Sequence, residues 1–323
     1  MRLSLSCFAL FFTLPVWAWN GTGHRICAAI TYDRLTPQAR AHVDELLRQH
    51  PDYSTLLTRD SPPDPAARAR AAFLAAAVWP DTIRGDKRFY DDAKEDAQPT
   101  RLLPGFPDMK RHLNWHYTDV PYSPEGVPVK AEPPPNALSE LERMLHELAT
   151  HSTDSAQLVY DLPWLIHIEQ DVHQPLHDTS RFLKSQPMGD EGGNQVYVLP
   201  EGVPSRGRLY RTLHALWDEA AGTDLSDAYV TRTAAEITAE YLAASGGNPK
   251  TPKDPRRWVE EGFKLAKSAV YTFGPVTGSK EMPLRLPEKY EANARRAART
   301  QIAEAGFRLA AVLNGLFNGP SAQ

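Results

Sequence analysis

Cysteine is almost missing from this chain, with 2 in 323 residues. That excludes a disulfide scaffold and any cysteine-built zinc module. An excess of basic residues is missing too: 36 Lys and Arg stand against 40 Asp and Glu, a formal net charge of −4. Gripping a long duplex by counterion release needs the opposite sign. Beyond the first residues, no apolar run approaches the roughly 20 residues that cross a bilayer. No internal period repeats, and no flexible linker or break in composition divides the chain. Histidine is absent after His214, and all 11 copies lie between His24 and His214. At 41% hydrophobic and 24% charged, the remainder has the proportions of a globular protein. Histidines gathered in one part of a cysteine-poor chain point to a metal site.

Met1 and Arg2 precede an apolar run over residues 3–17, and Ala18 stands before the polar stretch that begins at Trp19. A positive start, a short apolar core and a small residue at the cut describe a secretory signal. Cleavage after Ala18 makes Trp19 the mature N-terminus and places the protein outside the cytoplasm, secreted or periplasmic. It removes Arg2 and Cys7, so the mature chain is one unit more acidic and keeps one thiol, Cys27. Cys27 sits among Ile26, Ala28, Ala29 and Ile30, which predicts a buried, inert side chain. The expected organisation is a signal peptide at 1–18 and one domain at 19–323, monomeric and free of any membrane anchor.

Helical periodicity dominates that domain. Residues 25–35 carry apolar side chains at helical spacing, and Thr36-Pro37 opens a second helix through Leu47, with Thr36 as N-cap. An Ala-rich helix over 66–78 stops before Pro80. Residues 85–135, rich in Pro and Gly, predict a long ordered loop, and loops of that length are usually functional. Strong helices follow over 136–151 and 158–172, the second ending near Pro175. A turn at 189–193 and a short strand at 194–199 precede helices over 209–220, 224–244, 255–271 and 287–317. The fold class is therefore all-α: one mainly helical domain with a short β-hairpin and long ordered loops.

The chemistry concentrates in a few segments. His167 and Asp171 stand four apart on an apolar helix, so they share one buried face and can hold one ion. Taken alone, the pair also fits a core histidine satisfied by an aspartate. His214 and Asp218 repeat the spacing, and His177 follows Pro175 between the two pairs. Two such pairs with a histidine between them favour a multinuclear zinc site, since imidazole and carboxylate suit Zn²⁺. Asp81, with Arg84 three residues on, sits where the Ala-rich helix breaks at Pro80; alone it reads as a turn residue. His116 lies among aromatics inside the long loop, where a core or surface role fits equally.

In order along the chain stand W-x-G-x-G-H from Trp19, W-x-D-x-x-R from Trp79, H-Y-x-D from His116, H-x-x-x-D-x-x-Q-P-L-H from His167, G-G-N from Gly192 and L-H-x-x-W-D from Leu213. This set resembles the zinc-dependent S1/P1 nuclease family, which is similar in fold to bacterial zinc phospholipase C. The resemblance runs from Trp19 to Ala310. It implies a cleft with three Zn²⁺: one on Asp81, His116, His167 and Asp171; a second on His177, His214 and Asp218; a third on the free amine and carbonyl of Trp19, on His24 and on a shared Asp171. Signal cleavage would then create a ligand. Asn20 stands where a Gly is frequent, and Gln170 where a Gly usually precedes the bridging Asp. His173 reads as structural, and His42, His50, His112, His146 and His151 as surface or packing residues. The Asn20-Gly21-Thr22 sequon reads as accidental.

The resemblance further implies in-line attack of water on a phosphodiester, with Asp81 orienting the water and Arg84 stabilising charge on the phosphoryl oxygens. The products carry a 5′-phosphate. Tyr117 would stack on a base and Asp119 accept from its edge, while Asn194 would position a metal ligand or phosphate. A stacked base must be unpaired, so single-stranded DNA, single-stranded RNA and 3′-nucleotides are the expected substrates. Three divalent ions against Asp81, Asp171 and Asp218 would make the cleft locally positive inside an acidic protein. The alternatives are a zinc phospholipase C and, in another class, a non-catalytic exported zinc-binding protein.

Overall fold

The computed structural model describes residues 19–150, 154–199 and 211–318. The expected signal at 1–18 and His151 lie outside the described residues. The helices are α1 (Gly21–Tyr32), α2 (Pro37–Gln49), α3 (Pro65–Ala76), α4 (Trp79–Arg84), α5 (Ala137–Thr150), α6 (Ser155–Asp171), α7 (Pro175–Asp178), α8 (Leu213–Asp218), α9 (Asp227–Ala244), α10 (Pro255–Leu265) and α11 (Tyr290–Phe317). Short strands are β1 (Val120–Tyr122), β2 (Thr179–Arg181), β3 (Tyr197–Leu199), β4 (Arg211–Thr212) and β5 (Leu284–Arg285). The domain is mainly helical, as its periodicity predicts.

Local chemistry explains how a chain with 28 prolines builds helices. Pro37, Pro65, Pro175 and Pro255 each open one, where the missing N–H costs nothing and the fixed φ is already helical. The residue before each of them, Thr36, Asp64, Gln174 or Asp254, caps the helix by accepting a backbone N–H of the first turn. Asn20 caps α1 through Oδ1 to the Gly23 N–H and donates Nδ2 to the Gly222 carbonyl. Both polar atoms of that sequon asparagine are therefore engaged.

Helix α6 is the hub. From Val159 to Asp171 every residue is buried, the mark of a helix surrounded by others rather than lying on a surface. Helices α1, α2, α3, α4, α5 and α11 pack around it. The 28-residue α11, about 42 Å long at 1.5 Å per residue, runs against α1, α2, α6, α8 and α9. Cys27 is buried in the α1–α11 contact, as expected. The long loop after α4 is ordered by its own aromatics: Phe89, Phe106 and Trp115 enter the core. It carries a single helical turn, Leu113–His116, before β1.

The expected hairpin is an antiparallel β3–β4 pair, and β5 adds a parallel third strand in the order β4-β3-β5. Strand β1 pairs in parallel with β2, register Val120 with Thr179. Three boundaries differ from the periodicity in ways that matter. The Ala-rich helix ends at Ala76, and Trp79-Pro80 opens the new helix α4, so Asp81 lies in a first turn rather than at a C-terminal break. Helix α6 ends at Asp171 without help from Pro175, which instead starts α7 and puts His177 on a helix. Helix α8 begins only at Leu213, because Arg211-Thr212 pairs with β3 and Thr212 caps the helix.

The α1–α11 contact depends on Gly306. A methyl group there would lie 2.5 Å from Ile30 Cγ2 and 2.7 Å from Ile30 Cβ. Gly306→Ala is expected to lower stability by about 1–3 kcal/mol through overpacking, read by chemical denaturation. An unchanged midpoint in this variant contradicts the packing.

Candidate metal centre

The site is assembled where α1, α4, α6, α7 and α8 converge with the turn at His116. Helix α1 brings His24, and α4 brings Asp81 with Arg84 one turn later, its Nη1 3.1 Å from Asp81 Oδ1. Helix α6 brings His167 and Asp171, α7 His177, and α8 His214 and Asp218. All eight prospective side-chain ligands are buried, as is Trp19. Three groups have ligand atoms within 4.8 Å of one another: His24, His167 and Asp171; Asp81, His116 and His167; His177, His214 and Asp218.

Hydrogen bonding fixes which nitrogen of each imidazole faces the centre. His167 Nδ1 lies 2.8 Å from the Ala77 carbonyl, His177 Nδ1 2.5 Å from the His116 carbonyl and His214 Nδ1 2.7 Å from the Gly192 carbonyl. A carbonyl only accepts, so each Nδ1 carries the proton and each Nε2 presents a lone pair. The Nε2 atoms of His177 and His214 are 3.1 Å apart. Two lone pairs at that distance repel unless a cation stands against both. His24 donates Nδ1–H to Gln170 Oε1 at 2.7 Å and turns Nε2 toward Asp171 Oδ1, 3.4 Å away, and Asp81 Oδ2, 3.9 Å away.

Asp171 faces two sides at once. Its Oδ2 lies 3.2 Å from both His116 Nδ1 and His167 Nε2, while Oδ1 is directed at His24. At the centre, His24 Nε2, Asp81 Oδ2 and Asp171 Oδ1 are buried without a hydrogen-bond partner, and His116 Nδ1 lies 2.9 Å from His167 Nε2. Orphaned acceptors and lone pairs crowded among buried carboxylates are the donor set a divalent cation fits.

Burial shapes the ionisation. It holds the His24, His116 and His177 imidazoles well below their ordinary pKa, with neighbouring His167 or His214 adding to the effect, so these rings are neutral. At His167 burial also opposes charge, but Asp171 and Asp81 outweigh it and raise the pKa. Burial pushes Asp171 up to about 7 and Asp218 well above the carboxylate range. Asp119 is likewise pushed up to about 7 by burial, then by Asp190, Glu132 and Glu191.

Tyr117 and Asp119 follow directly on His116. The Thr118 N–H donates to the His177 carbonyl at 2.8 Å, which seats this segment against the centre, and Asp119 adopts a left-handed φ of 48°. Tyr117 and Asp119 are both half-buried. Asn194 is turned back on its own loop, its Nδ2 donating to the Glu191 carbonyl. Both glycines of that motif contact His214: the Gly192 carbonyl accepts from its Nδ1–H at 2.7 Å, and the Gly193 carbonyl from its backbone N–H. With φ at 58° and the Leu176 carbonyl where a Cβ would stand, only glycine fits at position 192.

Other orienting groups were not legible in the pattern. Ala77 acts through its backbone, which no side-chain motif records. Gln174 caps α7 and donates Nε2 to Asp218 Oδ1 at 2.7 Å; its place in Q-P-L-H was the available signal. His173 faces away from the centre, donating Nδ1–H to the Glu169 carbonyl and accepting from Arg308. His50 and His112 are packing residues, edge-on to Trp79 and stacked on Trp115, while His42 and His146 are exposed.

These shifts give metal uptake a proton signature. Asp171 and Asp218, raised by burial, and His167, raised by Asp171 and Asp81 against burial, hold protons near neutral pH that a bound cation must displace, whereas the lowered histidines have none to give. Metal added to stripped protein at neutral pH is therefore expected to release protons, fewer as the starting pH is raised. A pH-stat reads this directly, and proton-neutral uptake at pH 7 contradicts it.

The S1/P1 Nuclease family model matches residues 19–318. Nuclease S1 of Aspergillus oryzae is 23% identical over 336 aligned positions, which cover 99% of both chains. With a family match over nearly its whole length and a core of clustered His and Asp, this chain belongs to the S1/P1 nuclease family and is a hydrolase of nucleic acids.

Proposed function

We propose that the chain is an exported, zinc-dependent phosphodiesterase that cleaves single-stranded DNA and RNA to 5′-phosphorylated products and removes phosphate from 3′-nucleotides. The observation that carries the metal reading is the pair of Nε2 lone pairs of His177 and His214, facing each other across 3.1 Å. Three ions would be held as follows: Asp81, His116, His167 and Asp171 for the first; His177, His214 and Asp218 for the second; Trp19, His24 and Asp171 for the third. The two-sided geometry of Asp171 supports its shared role. When bound, zinc supplies Lewis acidity at the phosphodiester and makes water nucleophilic near neutral pH.

The chain's own groups do the rest. Asp81 orients the attacking water. Arg84, with five N–H donors and one given to Asp81, retains donors for the phosphoryl oxygens as charge develops on them. Tyr117 offers a ring for an unpaired base, and Asp119 a carboxyl for its edge. Asn194 closes the turn whose Gly192 carbonyl holds His214. Export is supported by the signal-like residues 1–18 and by a family match that starts at Trp19. No helix among the described residues is long and apolar enough to cross a membrane.

Single-stranded DNA, a 3′-nucleotide and phosphatidylcholine, offered side by side to the zinc-loaded exported protein with Trp19 as its first residue, test the reading. Nucleotides with 5′-phosphates and free phosphate are expected from the first two. Release from phosphatidylcholine alone would turn the reading to a phospholipase, and no release from any would sink it. Arg84→Ala is expected to keep its zinc and lose about 10²–10³-fold in kcat. Full activity in that variant removes Arg84 from the chemistry.

A further inference from the structure

Gln170 belongs to none of the ligand sets, yet it lies between two of their members. It is fully buried in the last turn of α6. Its side chain crosses to α1, where Oε1 lies 2.7 Å from His24 Nδ1. Its backbone carbonyl accepts the Trp19 indole N–H at 3.0 Å. Its amide nitrogen, by contrast, has no hydrogen-bond partner. A buried donor left unpaired is a cost that glycine at this position would not carry, and glycine is what the family resemblance leads one to expect there.

The contact with His24 has a chemical consequence. Facing an acceptor, Nδ1 carries the proton, and Nε2 becomes the lone pair directed at Asp171 and Asp81. Were the amide reversed, its NH₂ would face Nδ1 and the ring proton would move to Nε2, where no cation could then bind. At His167, His177 and His214 the same tautomer is imposed by a backbone carbonyl, which substitution at that position leaves in place. Of these four imidazoles, His24 is the one whose tautomer depends on a side chain.

We propose that Gln170 is the positioning residue of the third ion: it fixes the tautomer and ring orientation of His24, docks the Trp19 indole on its carbonyl, and so sets the affinity of the ion shared by Trp19, His24 and Asp171. The inference rests on the three-ion reading above. Side-chain partners of a ligating imidazole change metal affinity by about 10–100-fold, and that is the effect assigned to Gln170.

The test combines metal retention with a measurement that needs no metal. In chelator titrations of the exported protein, Gln170→Leu is expected to hold two zinc ions as tightly as the parent and to bind the third about 10–100-fold more weakly. Gln170→Glu, which restores an acceptor, is expected to recover the third. In the metal-free parent protein, ¹⁵N NMR of the His24 ring should show the Nδ1–H tautomer, and Gln170→Leu should lose that bias. Equal retention of the third ion by Gln170→Leu overturns the proposal, as does an Nε2–H tautomer at His24 in the parent. A parent protein that binds only two ions sinks the three-ion reading instead, and the tautomer measurement then still decides whether Gln170 sets His24.

Discussion

Five imidazoles and three carboxylates are buried together in the core of this protein, and several of their inward-facing atoms, among them His24 Nε2, Asp81 Oδ2 and Asp171 Oδ1, have no hydrogen-bond partner. That crowding is the constraint from which the rest of the architecture follows. Four of the rings are turned inward because their Nδ1–H groups are held by oxygens: Gln170 Oε1 for His24, and the carbonyls of Ala77, His116 and Gly192 for the others. Each acceptor comes from a different part of the chain. The helices and turns that supply them must be registered to within a hydrogen-bond length, and buried apolar side chains such as Trp164, edge-on to His116, pack against the polar centre. A low-dielectric shell makes unshared lone pairs and unpaired carboxylates expensive, and the same shell strengthens the hold on a cation.

The helical bundle meets this constraint through α6. Its 3.6-residue repeat puts His167 and Asp171 toward the centre and Glu169 away from it, and His173, two residues past the helix end, donates to the Glu169 carbonyl and accepts from Arg308. One buried helix thus serves a polar centre on one side and an ion-paired layer on the other. Arg308 anchors that outer layer, bonding His173 and Glu261. Proline contributes by punctuation: helices start at fixed residues with a cap already in place, so α7 can follow α6 after three residues and return His177 to the centre.

Much of this was legible beforehand. The i,i+4 pairs His167–Asp171 and His214–Asp218 announce a shared face, and both pairs do face one centre. The apolar periodicity marks the helices, and the low basic content excludes a surface that tracks duplex while leaving room for a cleft whose positive charge would come from ions. Two local readings fail for one reason, which is that Pro both ends and begins helices: Pro80 and Pro175 read as stops in the sequence, and they open α4 and α7. The G-G-N motif also holds a contact that no side chain announces, the Gly192 carbonyl against His214 Nδ1.

Residue types and their spacing on helices are properties of short windows, so the sequence by itself determined the all-α class and the segments that carry the clustered His and Asp. Which atoms meet was decided only by tertiary packing. His24 meets Gln170 across 146 positions, His167 meets Ala77 across 90, and His177 meets His214 across 37. Those contacts arise when helices distant in sequence bury their apolar faces together. Backbone carbonyls are present at every residue and so leave no trace in a motif; only the folded arrangement selects the few that orient a ring, and with them the nitrogen each histidine offers.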